Sequence, residues 1–544
     1  MATATTASGG TASQSWTVTP GGTITVNWVN TYWTENGPVQ VPAASSAALN
    51  ISALVTNADG SITVEKSSAT SPGVFSIPNV PGGYYWLEIP MGAYWTSASA
   101  FDAGQNYAGV QTPAQTITST SQFTTFDLNL SGLEAVPQTS LVELAFPFGS
   151  GSGSLGTAFV NPNSTTLTGA EFGSIAGIDW SKIDTAFLLQ YVPATLGSLN
   201  NNVLASAVDA TGLSLTNGAT NTITETLETT PQTSFDVSVP GASQWSGLFA
   251  NAGPTTATPY ASALSVSAQP YVSGINAGGL SLNLASTAAS GVFSVFPLSP
   301  STSCGVLSES VNGISLQPAI TTDTDFGQLQ YADPFDSSWT RSASLCQEYT
   351  VPIPAGSGAT ANFALVDSVT VPVSPTATPS FAPLVSPVLS PTINSASFFA
   401  AATLDTATVP LSWTAPATGT PFGYTIRVYV LSAATGDAPI YSAAGTFNTA
   451  QTSITLPPLS GGNTYVFTIT AESDASAKME TGPFRSSLPT ASATVVSAPI
   501  TISSGALTPA IQGDRSVIAR FSQAQPVAEP HPQVLTLSRS GKSN

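Results

Sequence analysis

Apolar residues in this chain recur at every second position in short runs, and glycine and proline break each run. Residues 73–89, GVFSIPNVPGGYYWLEI, show the pattern: Phe75 and Ile77 alternate, Asn79 to Gly83 turn, and Tyr85, Leu87 and Ile89 alternate again. A period of two places these side chains on one face of a strand. Glycine supplies the positive φ that a tight connection needs. Ile24, Val26 and Trp28 repeat the alternation, and strand-like runs follow at 139–148, 184–192, 221–229, 233–241, 262–272 and 290–298. Clusters of Gly, Ser, Asn and Pro separate them at the intervals of antiparallel sandwiches. No long stretch carries a charged face at helical spacing. The expected fold is all-β, with little helix.

At 544 residues the chain is too long for one core, and about three to five domains are expected. Charged residues are 7% of the total, against about 25% in ordinary soluble domains. The net charge of −19 with only 10 Lys and Arg disfavours nucleic acid, whose phosphates need basic partners. It also disfavours anionic membrane surfaces. The first residues lack the basic and apolar regions of a signal peptide, and no apolar run reaches the roughly 18 residues of a membrane span. The low-charge, Ser/Thr-rich composition fits an extracellular or cell-surface setting.

Two segments resemble known families. The run from Gly73 to Ile89 is similar to the G-x-F-x-I-x-N-V-P-x-G-x-Y-x-L-x-I pattern of carboxypeptidase regulatory-like (transthyretin-like) sandwiches, and the likeness extends over about residues 47–96. Gly82 stands where that family often has a second proline. The resemblance implies an accessory module. Residues 393–498 resemble a fibronectin type III domain. Trp413 matches its buried second-strand Trp. Leu459, Gly462 and Tyr465 match its tyrosine corner, and Phe467 and Ile469 match the core strand that follows. No R-G-D tripeptide is present. The resemblances imply tandem antiparallel sandwiches of the immunoglobulin or fibronectin III type.

The expected organisation is a flexible N-terminus (1–13), an aromatic-rich sandwich (14–137) and two further sandwiches (138–265 and 266–370). Residues 371–392, with six prolines, form a linker or a first strand. The fibronectin III-like domain (393–498) and an extended or disordered tail (499–544) complete the chain.

Little in the sequence points to catalysis. The single histidine, His531, lies between Pro530 and Pro532 in the expected tail, a poor setting for a triad or a zinc site. No phosphate-binding glycine motif occurs. A carboxylate pair for glycoside hydrolysis would have to come from acids such as Glu134, Glu143, Asp179, Asp184, Glu225 and Glu228. The densest acidic stretch holds Asp323, Asp325, Asp333 and Asp336, a candidate oxygen-ligand set for Ca²⁺ without EF-hand spacing. No other cofactor is expected. Cys304 and Cys346 are the only cysteines. A disulfide between them would close a loop of about forty residues and contribute roughly 3–4 kcal/mol.

The sharpest binding feature is aromatic. Trp16, Trp28, Trp33, Trp86 and Trp95 are five of the nine tryptophans. Tyr32, Trp33, Tyr94 and Trp95 form the candidate sugar platform, since exposed rings stack on sugar faces. The expected function is therefore that of a secreted bacterial protein without enzymatic activity. It would act as a binding, adhesion or spacer module for a glycan or a cell-surface or matrix protein. Two alternatives stand beside it. One is self-assembly through sheet edges into a filament or surface layer. The other is a polysaccharide-acting enzyme using a carboxylate pair.

Overall fold

The computed structural model describes residues 2–5, 11–14, 22–109, 123–147, 154–174, 178–229, 232–250, 252–272, 278–279, 282–286, 319–354, 360–374, 378–432 and 440–512. The fold is all-β. Among the described residues, helix is confined to short segments at Ser45–Asn50, Trp180–Lys182, Gly241–Trp245 and Ser246–Phe249.

Residues 22–109 fold into a two-sheet sandwich. One sheet places Gly22–Asn27 between Ala100–Asp102 and Val74–Val80, with Ser68–Ser71 outermost. In the other, Tyr85–Ile89 lies between Gly92–Thr96 and Ser52–Thr56, with Ile62–Lys66 beyond. The alternating residues Ile24, Val26, Phe75, Ile77, Tyr85, Leu87 and Ile89 fill the space between them. Trp28 falls just past the first strand and packs, half-buried, at the rim of this core.

A second core follows. Thr124–Ser131 pairs with Thr166–Ser174 on one side and Thr220–Thr226 on the other. This sheet covers Ser140–Ala145 and Ala186–Leu196. Trp180 sits at the centre, edge-on to Phe126 at 4.7 Å and Phe146 at 4.9 Å. Phe126, Leu128 and Leu130 therefore share a core with Val142 and Leu144, and the expected division at residue 137 is corrected. The division expected at 265 also fails, because the strand Thr258–Gln269 runs through it. That strand pairs with Thr340–Pro354, which pairs with Thr360–Pro372. These long strands dominate the middle of the molecule.

In the C-terminal sandwich, Val409–Thr414 lies between Leu389–Ile393 and Ser453–Leu456. The facing sheet runs Ile440–Thr449, Gly423–Ser432, Thr464–Asp474 and Thr490–Val496. Trp413, 6% exposed, meets Tyr424 edge-on at 5.1 Å between the sheets. The Tyr465 hydroxyl donates to the Ser460 carbonyl at 2.9 Å, which ties the start of its strand to the preceding loop. In the proline-rich stretch, Phe381, Val385 and Val388 are buried, and Leu389–Ile393 is a strand. Prolines leave this segment without a continuous ladder, so apolar burial fixes it instead.

Both termini depart from expectation. Ala2–Thr5 pairs with Thr11–Gln14 where a flexible end was expected. Beyond residue 499, Ile500–Leu507 pairs with Ala402–Thr406, and Ile511–Gln512 pairs with Ile62–Thr63. Ile500 and Ile502 are fully buried. Described strands thus continue to 512, and the remainder of the expected tail, His531 included, lies outside the described residues.

The sandwiches are also joined edge to edge. Ser368–Thr370 pairs with Thr490–Ser492, and Ala93–Trp95 pairs with Phe447–Thr449 in parallel. The result is one continuous sheet of 20 strands. Pairing is thus not antiparallel throughout, because strands brought together at sheet edges are not linked by short hairpins.

Candidate ligand-binding site

The strand Gly92–Thr96 sends alternate side chains to opposite faces. Tyr94 points into the core of residues 22–109, 3% exposed, against Phe101 at 5.2 Å and Phe484 at 5.8 Å. Burial holds its phenol well above the ordinary value. Tyr94 is therefore a core residue, and its place in the expected platform is corrected. Trp95 points the other way. It stacks on Tyr84, with centroids 5.6 Å apart and planes 16° apart, and leans on Trp86 at 5.2 Å.

Tyr84 follows the Gly82–Gly83 turn, where Gly83 has φ 117°. The turn leaves Tyr85 inside and Tyr84 outside, 41% exposed. Below this pair, Trp86 meets Phe447 edge-on at 5.5 Å and donates its Nε1–H to the Thr455 carbonyl at 3.2 Å. The aromatic layer therefore sits where the first sandwich docks on the C-terminal one.

Tyr84 and Trp95 wall a groove of about 470 Å³, within the usual range for small-ligand sites. Its floor is the outer face of the Leu389–Ile393, Val409–Thr414 and Ser453–Leu456 sheet. Thr392 lies opposite Ser412, and Ser412 opposite Ser453. Their strands are about 4.8 Å apart, so three hydroxyls form a row across the floor. The Thr392 and Ser412 hydroxyls share a hydrogen bond of 2.7 Å. At the aromatic end, Gln451 donates through Nε2 to the Tyr84 hydroxyl and to Glu480 Oε1, both at 2.7 Å. The Tyr84 hydroxyl also donates to Glu480 Oε1 at 3.2 Å. Partial burial and the Glu480 charge raise the Tyr84 phenol above its ordinary value, so it remains a donor. Among the described residues, no Lys or Arg lines the groove.

Tyr32 and Trp33 occupy a different place. Trp33 lies in the strand Val29–Thr34 and packs, half-buried, on Ala108 and Val272. Tyr32 stacks on Tyr107 at 4.9 Å. Neither projects from a loop tip, because the hairpin turns only after Thr34. Of the four expected platform residues, Trp95 alone lines the groove. The partners that the sequence reading missed are Tyr84 and, from a bend between two strands more than 300 residues away, Gln451. Tyr84 had a local signal, since alternation about Tyr85 places it outside. Gln451 had none.

The expected Ca²⁺ set does not converge. Asp323 and Asp325 begin the strand Asp323–Ala332, and Asp333 follows its end, about 30 Å away at a strand's rise per residue. Asp323 accepts from the backbone N–H and hydroxyl of Ser243, Asp325 from Gly327 N–H, and Asp336 from Ser338 N–H. Asp333 is held by Arg341 at 2.9 Å and 3.0 Å. Among the described residues, no group of three or more His, Cys, Asp or Glu is placed to hold a metal ion. Cys346 is disulfide-bonded, and the chain's other cysteine, Cys304, lies outside the described residues.

The acids that could serve hydrolysis stand in different surroundings. Glu143 is buried against Tyr191. Asp179 accepts from Ser181 and Asn217, and Asp184 and Glu228 are exposed. Among the described residues, no helix is long and apolar enough to cross a membrane.

No family model and no curated protein matches this chain. Solved structures give faint likenesses. Trypsin-activated alpha-2-macroglobulin from Escherichia coli is 10% identical with a TM-score of 0.11, over 88% of this chain and 30% of that one. A streptococcal ancillary pilin is 10% identical with a TM-score of 0.10, over 66% and 98%. A tetra-tandem repeat from the extending region of a large adhesion protein is 12% identical with a TM-score of 0.10, over 88% and 99%. Likenesses this weak carry no argument about function.

Proposed function

We propose that this protein is an extracellular, non-enzymatic binding module that attaches to a glycan through the groove beside Tyr84 and Trp95. One observation carries the reading. A stacked aromatic pair, exposed at Tyr84, shares the groove with a floor of Ser and Thr hydroxyls: the ring offers an apolar face, and the floor offers hydrogen bonds. Sugars present that same combination of faces. The buried Trp413 and the Tyr465–Ser460 bond support a fibronectin III-like scaffold on which the floor rests. A scaffold of that kind positions a site without supplying chemistry.

The test is a glycan array run with the full chain, Tyr84→Ala and Gln451→Ala. Binding by the parent that Tyr84→Ala abolishes and Gln451→Ala weakens supports the reading. A parent that binds no glycan rejects it.

A second reading, self-assembly, has its own observation. Among the described residues, Ser154–Val160 pairs on one side only, with Ser140–Ala145, and Phe159 is 54% exposed there. Unpaired strand edges template association. Particle imaging of the parent beside Phe159→Lys tests it. Filaments that the variant fails to form favour assembly, and monodisperse parent particles count against it.

A further inference from the structure

We propose that the groove takes a linear, uncharged polysaccharide in extended form, lying across the strands of the floor with one ring against Tyr84. This rests on the glycan reading above and narrows it to one class of chain.

The floor sets the direction. Thr392, Ser412 and Ser453 all line the groove and stand at paired positions on three adjacent strands. Their row crosses the sheet, so its step is the strand spacing and its length is about 10 Å. Ser453 is the end of the row nearest the aromatic wall, two residues after Gln451, whose Nε2 donates to the Tyr84 hydroxyl. Successive rings of an extended β-1,4-linked chain advance by nearly one strand spacing. A chain with one ring against Tyr84 therefore sets the following rings over Ser453, Ser412 and Thr392 in turn. A coiled α-1,4-linked chain leaves that line after its first rings. The hydroxyls are free to respond. Ser412 and Ser453 are exposed, and the bond between Thr392 and Ser412 uses only one of that pair's two hydroxyl hydrogens.

The lining sets the charge. Among the described residues, no Asp, Glu, Lys, Arg or His lines the groove. A charged sugar would give up hydration there without a charge-assisted hydrogen bond in return. Sugar hydroxyls both donate and accept, and so do the hydroxyls of the floor. Pro410 and Tyr84, also in the lining, offer apolar contact to ring faces. The net charge of −19 further opposes the approach of anionic chains.

The experiment titrates the full chain, at physiological salt, with β-1,4-linked glucose oligomers from monomer to hexamer. The α-1,4-linked series and the glucosamine and glucuronate tetramers are run beside it. The parent is compared with Tyr84→Ala, Ser412→Val and Thr392→Val. Affinity for the β-linked series should rise with length to the tetramer, by about tenfold from the dimer, and then level off. The α-linked series should gain little beyond its dimer, and both charged tetramers should bind more weakly than the neutral one. Ser412→Val and Thr392→Val should each weaken the tetramer about fivefold, the size of one ordinary hydrogen bond. Both should leave the dimer unchanged, which also shows that the variants are folded. Affinity that stays flat beyond the dimer, or is equal for the two linkages, overturns this inference and leaves the groove reading intact. A charged tetramer that binds more tightly than the neutral one does the same. Binding of every probe that is unchanged in Tyr84→Ala, or no binding at all, overturns the groove reading and this inference together.

Discussion

The side chains of Tyr349 and Asp367 meet in the middle of the long central strands, with the Tyr349 hydroxyl 3.2 Å from Asp367 Oδ1. Neither residue is exposed. The same Asp367 oxygen accepts the Thr494 N–H at 2.8 Å, and the Tyr349 hydroxyl also donates to the Thr494 carbonyl at 2.7 Å. Burial outweighs these hydrogen bonds and pushes the Asp367 carboxyl up to about 8.

That shift makes stability depend on pH. The unfolded carboxyl titrates at about 3.9, so between about pH 4 and 8 the folded protein holds a proton that the unfolded chain has released. Stability should therefore fall as pH rises through this window, by up to about 1.4 kcal/mol per unit, and level off above it. Glu472, pushed by burial to about 7, should add a second fall from about pH 4 to 7. Asp367→Asn should flatten the curve between pH 7 and 8 and leave only the Glu472 slope below. Urea unfolding across this range checks both.

Arg485 should prove a main tie between the first and last sandwiches. Its guanidinium donates to Asp102 at 3.0 Å, Asn106 at 2.7 Å, Thr31 at 3.2 Å and the Val29 carbonyl at 2.9 Å. The Asp102 pair is a third exposed and is discounted for screening. Loss of the other hydrogen bonds in Arg485→Ala should cost about 1–2 kcal/mol. Arg485→Lys should not restore it, because one ammonium cannot reproduce the planar fork. Thermal unfolding of the three proteins decides this.

Gly419 should tolerate no side chain. It has φ +76°, and a Cβ there would meet the Leu384 carbonyl oxygen. The proline-rich segment is fastened to this same turn, with Ser386 N–H donating to the Thr418 carbonyl and Thr418 N–H to the Ser386 hydroxyl. Gly419→Ala should therefore destabilise by well over the roughly 1 kcal/mol that positive φ alone costs. Limited proteolysis should then cut first within residues 378–388. Resistance equal to the parent's would show that this packing is not needed.

Trp413→Ala should cost about 3–5 kcal/mol, as for other buried aromatic truncations, since it removes the ring that Tyr424 packs against. Trp413→Phe should recover most of that. Denaturant midpoints give the comparison.

Much of each sandwich was legible because period two is a local property. Phe75 and Ile77, and Tyr85 with Leu87 and Ile89, are core residues as the alternation implied. Lateral joins were not legible, because parallel pairing across hundreds of residues leaves no local pattern. That is why Ile500 and Ile502, a run of only two alternating apolar residues, read as the start of a tail. The binding site was half legible for the same reason. Tyr94 and Trp95 are neighbours in sequence and face opposite ways in the strand, and the Gln451 contact belongs to tertiary structure alone.

The parallel join of Ala93–Trp95 to Phe447–Thr449 has a mechanical consequence. A pull that slides one sandwich along the other in the strand direction loads these ladder bonds together, in shear. A pull across the strands would instead open them one after another. A tethered chain aligned with these strands would thus resist tension with all its junction bonds at once, and with the Trp86 and Trp95 rings wedged behind them.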